Sequence, residues 1–232
     1  MTAPKGSSSR KPAPLTSSTS TAADRSAIPP KSSEEEKPRS GKLRGKAELV
    51  SSKLSYQGKV FSVYTDTVIE PGYSRANIRD VIRHNGSIVV LAVDESSAPE
   101  DPNIILIRQY RHAAGQFLLE LPAGRIEVGE APLAAAKREM IEETGFRARR
   151  WTLLTKYFAS PGFLGEWMQI YLARDIREGQ ATPEEDEHIE IVRTPLSKAM
   201  ELVATNRIHD GKTIIGLSLY SAARSSGRLP TL

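Results

Sequence analysis

Three glutamates crowd into the run Arg138-Glu139-Met140-Ile141-Glu142-Glu143. Like charges three or four residues apart on a helix repel, at a cost of about 0.2–0.5 kcal/mol per pair. Carboxylates at i and i+4 also share one face, where they can converge on a hard divalent cation through oxygen ligands and water. Such a cation would cancel the repulsion. A plain solvated acidic face has the same spacing, so the run alone leaves both readings open. The preceding loop, Leu121-Pro122-Ala123-Gly124, favours the cation, because it brings backbone carbonyls and amides to the same place.

The element that must carry these acids is a helix over Ala131 to Thr144, with Pro132 in the first turn, where proline is tolerated. At about 100° per residue, Glu139, Glu142 and Glu143 fall within an arc of roughly 100°. Leu133, Ala134, Met140 and Ile141 fall opposite and are expected to face a core. Arg138 stands one turn before Glu142 and can pair with it.

Around this helix the chain reads mainly as strands. Lys53 to Glu70 alternates about a turn at Gln57-Gly58, which predicts a hairpin. Along its second strand Val60, Ser62 and Tyr64 are expected on one face, with Phe61 and Val63 on the other. Short β-branched runs follow at Asn77–His84, Ser87–Asp94 and Asn103–Tyr110. Further strands are expected at Arg149–Phe158, Glu166–Asp175 and His188–Arg193. Pro195–Arg207 reads as a helix with Thr194 as its cap, and Asp210 is expected to cap a last helix. Strands interleaved with few helices imply a mixed-sheet α+β or α/β sandwich.

Composition narrows the classes. The 232 residues are 39% apolar and 26% charged, the balance of an ordinary globular protein. No apolar run approaches 18 residues and no apolar leader opens the chain, so neither a membrane span nor secretion is expected, and the expected location is the cytoplasm. With no cysteine, disulfides, thiolate zinc sites and cysteine nucleophiles are excluded. The four histidines do not cluster at metal-ligand spacing, and surface roles are expected for all of them. The net charge of +4 is uneven. Residues 1–46 hold ten Lys/Arg and four Asp/Glu, leaving 22 basic and 24 acidic residues in 47–232. A nucleic-acid role would therefore rest on the first segment alone, and none is expected. That segment is rich in Ser, Thr and Pro and is read as a disordered basic tail. A polyanion-binding arm or a transit peptide are the alternatives. The expected organisation is this tail, a domain over 47–225 that includes an N-terminal strand extension (47–84), and a short tail over 226–232.

The spacing Gly124, five residues, Glu130, seven residues, then Arg138-Glu139-Met140-Ile141-Glu142-Glu143-Thr144-Gly145-Phe146 resembles the Nudix hydrolase box at every defined position. The resemblance implies a Nudix α/β/α sandwich with a mixed central sheet and, here, an N-terminal antiparallel strand extension. It implies a box that holds Mg²⁺, with Mn²⁺ possible, and an enzyme that hydrolyses a nucleoside diphosphate linked to another group. Carried over by position, Glu139 and Glu143 resemble the main metal ligands, helped by Glu142 and the backbone carbonyl of Ala123. Arg138 would orient the carboxylates, and Gly145 would provide the turn after the helix.

The flanks are similar to those of the ADP-ribose pyrophosphatases. These are Ile105 to Gly124 with its "QYR" and "ELPAG", Pro161 fifteen residues after Phe146, and His209 to Tyr220. The resemblance covers roughly residues 50 to 223. It implies cleavage of ADP-ribose, or a related ADP-sugar, to AMP and ribose 5-phosphate. Glu166, in Ser160–Glu166, resembles a general base, with Glu142 as the alternative. Arg111, Glu120 and Gly124 resemble substrate contacts, and Arg79 with Asp80 are weaker candidates for the adenosine. A homodimer paired through the N-terminal strands is also implied. Two other readings stay open: a pyrophosphatase for another sugar nucleotide such as GDP-mannose, and a Nudix-fold binding module without catalysis.

Overall fold

The structure, a computed structural model, describes residues 44–96, 98–182 and 188–229. Nearly all of the 1–46 segment and the end of the 226–232 segment lie outside the described residues.

Strand β4 (Ser87–Asp94) organises the molecule. Its run Ile88 to Val93 is wholly buried, because a strand covered on both faces must be apolar at every position rather than at every second one. Ile88, Val90 and Ala92 pack against Ala135, Ala136 and Met140 of helix α1 (Pro132–Thr144). Val89, Leu91 and Val93 point the other way. They meet Leu196 and Ala199 of α2 (Leu196–Ala204) and Leu217 and Tyr220 of α3 (Gly211–Ser225). Each fully buried aliphatic side chain contributes about 1.5–3 kcal/mol, so this double-sided strand is the main source of cohesion between the layers. The result is an α/β/α sandwich.

The central sheet runs β10 (Ile189–Pro195), β5 (Asn103–Arg111), β4, β9 (Trp167–Arg177), β8 (Arg147–Phe158). β4 is parallel to β9 and antiparallel to β5, so the sheet is mixed. Two short strands, β6 (Gln116–Glu120) on β5 and β7 (Ala123–Arg125) on β4, flank the Leu121-Pro122 step.

Helix α1 begins with proline in its first turn and stops at Gly145, whose φ of 73° is left-handed. A Cβ there would also collide with the backbone of Gly179 and Ala181. The buried face differs from expectation. Ala135, Ala136, Met140, Glu143 and Thr144 are inside, whereas Leu133 and Ala134 are exposed. The helix is rolled toward the Leu121–Arg125 segment, which takes Glu143 in with it. The cap of α2 also differs. Thr194 is a buried strand residue paired with Ile104, and Asp101 supplies the cap. Its carboxylate accepts from the Ser197 backbone N–H (2.8 Å) and hydroxyl (2.7 Å). Asp210 caps α3 as expected.

The N-terminal extension is a separate antiparallel sheet of β1 (Glu48–Gln57), β2 (Ser62–Ile69) and β3 (Asn77–Arg83), in that order. Val60 and Phe61, expected on its second strand, lie in the turn that precedes it. β1 is exposed along its whole length. β3 is stitched to the 160–167 loop: Ile82 N–H donates to Phe163 O (2.8 Å) and Gly165 N–H donates to Ile82 O (3.0 Å). Among the described residues no helix is long and apolar enough to cross a membrane.

Candidate active site

The site is assembled where β7 and α1 meet. Pairing of Ala123 with Val89 and of Gly124 with Ile88 sets the loop beside the start of β4. A Cβ built on Gly124 would overlap the carboxylate of Glu139, so only glycine lets that acid lie against the backbone. Pro122 O accepts from Val90 N–H (2.8 Å), and Ala123 N–H donates to Glu143 Oε2 (3.0 Å). Glu143 is therefore buried with a backbone partner, as a buried carboxylate must be.

Arg138 resolves the repulsion among the acids. Its Nε and Nη2 donate to the two oxygens of Glu130, both at 3.0 Å, and Nη2 also donates to Arg125 O (3.2 Å). Its remaining nitrogen, Nη1, bridges Glu139 Oε1 (2.7 Å) and Glu142 Oε2 (2.9 Å). This fork raises the guanidinium's affinity for its proton above the ordinary value, through Glu130 first and then Glu139 and Glu142. In return the Arg138 hydrogen bonds hold the Glu130 carboxyl below its usual range.

Among the described residues no three acidic or histidine side chains are gathered closely enough to hold a metal as they stand. Glu139 and Glu142 share Arg138, while Glu143 is turned to Ala123. The donor chemistry still fits a hard divalent cation: three carboxylates of one helix beside a carbonyl-bearing loop, with glycine clearing space for one of them. Binding would exchange the Arg138 contacts of Glu139 and Glu142 for the ion.

Beside these acids lies a cavity of ≈ 480 Å³. Gly124, Arg138, Glu139 and Glu142 form one wall. The turn between β1 and β2, with Lys59 and Phe61, forms another, and Arg83 and His84 at the end of β3 complete it. Lys59 and Arg125 thus line the same cavity as a pair of carboxylates, whereas the Arg83 guanidinium is paired with Asp66 at 2.9 Å. Mixed charge of this kind suits a polyanion bound together with a cation.

Of the residues that the sequence singles out, Gly124, Arg138, Glu139 and Glu142 line this cavity, with Ala123 and Glu143 adjoining. Glu166 lies off it, on the 160–167 loop, accepting a hydrogen bond from the Ser87 hydroxyl (2.5 Å) with His84 Nδ1 at 3.8 Å. That nitrogen accepts from Gly86 N–H (3.0 Å), which leaves the ring's proton on Nε2 while the ring is neutral. Arg111 and Glu120 lie on the far side of the loop, paired at 2.7 Å, with Glu120 only 1% exposed. Glu120 also takes Lys212 Nζ at 2.5 Å. Arg79 is on the extension, paired with Glu70 at 2.8 Å and half exposed. Asp80 accepts from the Thr65 hydroxyl of the neighbouring strand (2.7 Å).

His84 contradicts the expected surface role, since its side chain is 10% exposed and forms part of the cavity wall. Lys59 and Arg83 carry no signal in the sequence, because their relevance depends on how the extension sits, which no local spacing encodes. Lys212 and Thr213 belong to the His209–Tyr220 stretch, but nothing in that stretch shows that they reach Glu120 and Leu121.

Comparison with known proteins gives the family. The family described as "NUDIX domain" matches residues 83–214. The chain is 33% identical over 168 residues to the ADP-ribose pyrophosphatase of Bacillus subtilis (strain 168), covering 72% of this chain and 88% of that one. It is 33% identical over 163 residues to the GDP-mannose pyrophosphatase of Citrobacter koseri (strain ATCC BAA-895 / CDC 4225-83 / SGSC4696), covering 62% and 82%. A solved structure titled "Crystal structure of ADP compounds hydrolase" superposes with a TM-score of 0.67 at 24% identity, over 82% of this chain and all of that one, a likeness of fold. The chain belongs to the Nudix family, in its ADP-ribose pyrophosphatase-like branch.

Proposed function

We propose that the chain is a hydrolase that uses Mg²⁺, or Mn²⁺ in its place, to split the diphosphate of ADP-ribose or a related ADP-sugar. With ADP-ribose, one water is consumed and AMP and ribose 5-phosphate are released. The observation that carries this reading is the cavity that gathers Gly124, Glu139 and Glu142 of the box together with Lys59. In this reading Glu139, Glu142, Glu143 and the Ala123 carbonyl hold the cation. When bound, the cation neutralises the diphosphate oxygens and lowers the cost of developing negative charge.

The chain's own groups do the rest. Arg138, anchored on Glu130, orients Glu139 and Glu142 beside one another until the cation takes their oxygens. Glu166 accepts a hydrogen bond from Ser87 and has a lone pair left with which to take a proton from the attacking water once its loop brings it to the cavity. Glu142, on the cavity itself, is the alternative base. Arg111 and Glu120 support the loop from behind, and in this reading any contact they make with substrate follows a rearrangement. The adenosine would lie toward the extension, the side that carries Arg79. The same reading takes the domain as 47–225 and the assembly as a homodimer. It places the enzyme in the cytoplasm, since sugar nucleotides are products of intracellular metabolism.

Likeness to a GDP-mannose pyrophosphatase supports a second reading, with the same chemistry and a different base and sugar. A panel of ADP-ribose, ADP-glucose and GDP-mannose, assayed with Mg²⁺ and with EDTA, separates them. Expected is Mg²⁺-dependent release of AMP, fastest from ADP-ribose. Faster GMP release from GDP-mannose would favour the second reading, and no turnover of any of them would refute both.

A further inference from the structure

The loop that carries Ala123 is pinned at three successive residues by three different elements. β4 holds Pro122 O through Val90 N–H, and α1 holds Ala123 N–H through Glu143. The third pin comes from the far end of the chain. Leu121 N–H donates to Thr213 Oγ1 at 2.8 Å, a buried bond spanning 92 positions. The Thr213 hydroxyl donates its own hydrogen bond to Asp210 Oδ2 at 2.5 Å, so Asp210 fixes the direction in which Thr213 can accept. Asp210 also caps α3 through Thr213 N–H (3.0 Å) and takes Lys212 Nζ on its other oxygen (3.0 Å).

Lys212 ties the same turn to the residue just before the loop. Its ammonium joins Asp210 to Glu120, whose second oxygen holds Arg111; Glu120 is buried and Lys212 partly so. The side chain of Leu121 is sealed beneath the same helix. A Cβ on Gly216 would come 2.8 Å from Leu121 Cδ1, so α3 approaches the loop as closely as a helix can. The neighbouring residues Glu120 and Leu121 thus meet Lys212, Thr213 and Gly216 at a charge, a backbone amide and a packed side chain. None of these α3 residues lines the cavity.

We propose that the first turn of α3 is a clamp that sets the position of the Ala123 carbonyl, making Thr213 and Lys212 positioning residues for the bound cation. The clamp rests on the proposed function, in which that carbonyl is a ligand. Without the Thr213 hydroxyl, Leu121 N–H is left buried and unpaired, and the loop shifts to satisfy it. The carbonyl two residues on then leaves its place among the carboxylates. Outer partners of metal ligands typically change affinity by about 10–100-fold.

The test is Mn²⁺ binding to the full chain, followed by loss of the free-ion EPR signal, beside the thermal midpoint and the steady-state constants for ADP-ribose. Thr213→Val keeps the shape and loses the hydroxyl, whereas Thr213→Ser keeps the hydroxyl. The expected result is Mn²⁺ binding weakened about 10-fold or more in Thr213→Val and within about 2-fold of the parent in Thr213→Ser. kcat should fall in the valine variant while KM for ADP-ribose changes little. Lys212→Met provides a second route if the valine variant does not fold, with weakened Mn²⁺ binding expected again. Unchanged Mn²⁺ binding in a folded Thr213→Val or Lys212→Met variant, whatever its thermal midpoint, would overturn the clamp and leave the proposed function standing. A parent chain that binds no Mn²⁺ and releases no AMP would overturn both.

Discussion

Glu143 differs from its two neighbours in the box because it is 3% exposed and accepts a backbone hydrogen bond, while Glu139 and Glu142 share a guanidinium at the cavity. A glutamine at 143 can still accept from Ala123 N–H, so the fold should persist, but the charge that a divalent cation needs is gone. Glu143→Gln is expected to lower turnover by at least about 10–100-fold, as loss of even an outer partner does, with a thermal midpoint close to the parent's. A folded variant keeping more than half its activity would refute this role. Glu166 is tested by a different signature. A general base contributes about 10²–10⁴-fold, so Glu166→Gln should reduce kcat by that order with Mn²⁺ affinity unchanged. If kcat survives there and is lost instead in Glu142→Gln with Mn²⁺ affinity unchanged, the base belongs on the helix. The acids of the box are legible in the sequence, because the box is a local pattern whose spacings all fall within one helix and its leading loop. The charge balance is legible only in part. The pairing of Arg138 with Glu142 follows from helical spacing, but its stronger grip on Glu130, eight positions away, needs the loop to fold back.

At the scale of elements the same division between local and distant information recurs. The apolar run of β4 and the proline and glycine that bound α1 are legible, since a doubly buried strand and a helix stop are written in consecutive residues. The cap of α2 is not. Thr194 stands at the right place in the sequence, yet Asp101, 96 positions before Ser197, is the residue that reaches it. The rolled face of α1 has a related cause, because a polar Glu143 belongs inside only where Ala123 N–H faces it, and that loop is twenty positions away. Asp101 permits a pH test. Hydrogen bonds from the Ser197 side chain, then its backbone, lower the carboxyl below its ordinary value of 3.8. A group whose folded pKa is depressed stabilises above the unfolded value and loses that contribution as the pH falls through the folded one. Asp101→Ala should therefore melt below the parent at neutral pH, and the gap should close in a melting series carried down through pH 3.8 and below. A gap that is constant with pH would mean that packing, rather than the ionised cap, is what the substitution removes.

The whole molecule presents a surface that a single chain leaves uncovered. β1 is the free edge of a three-stranded sheet and is exposed along its length, with Leu49, Val50, Leu54 and Tyr56 between 46% and 56% exposed and Ile78 of β3 at 65%. Isolated small sheets are marginal in water, and an exposed apolar edge strand invites pairing with another chain. By register the exposed apolar side chains occupy both faces, Leu54 in the row of Tyr64 and Val81, and Ile78 in the row of Thr67 on the other face. We propose a second copy of the same sheet as the partner, since twofold pairing is the commonest closed assembly. The extension also forms one wall of the cavity through Lys59 and Phe61, so whatever steadies the sheet steadies the site. Light scattering should therefore report twice the 25.5 kDa of one chain. The double variant Leu54→Glu/Ile78→Glu places charges at positions already exposed in one chain, where substitutions rarely cost more than about 0.5 kcal/mol of folding stability. It is expected to run as a folded monomer with reduced turnover of ADP-ribose, because the wall carrying Lys59 loses its support. A monomeric parent chain would show that the exposed sheet does not serve assembly, and a monomeric variant that works at the full rate would show that assembly through the sheet does not serve catalysis.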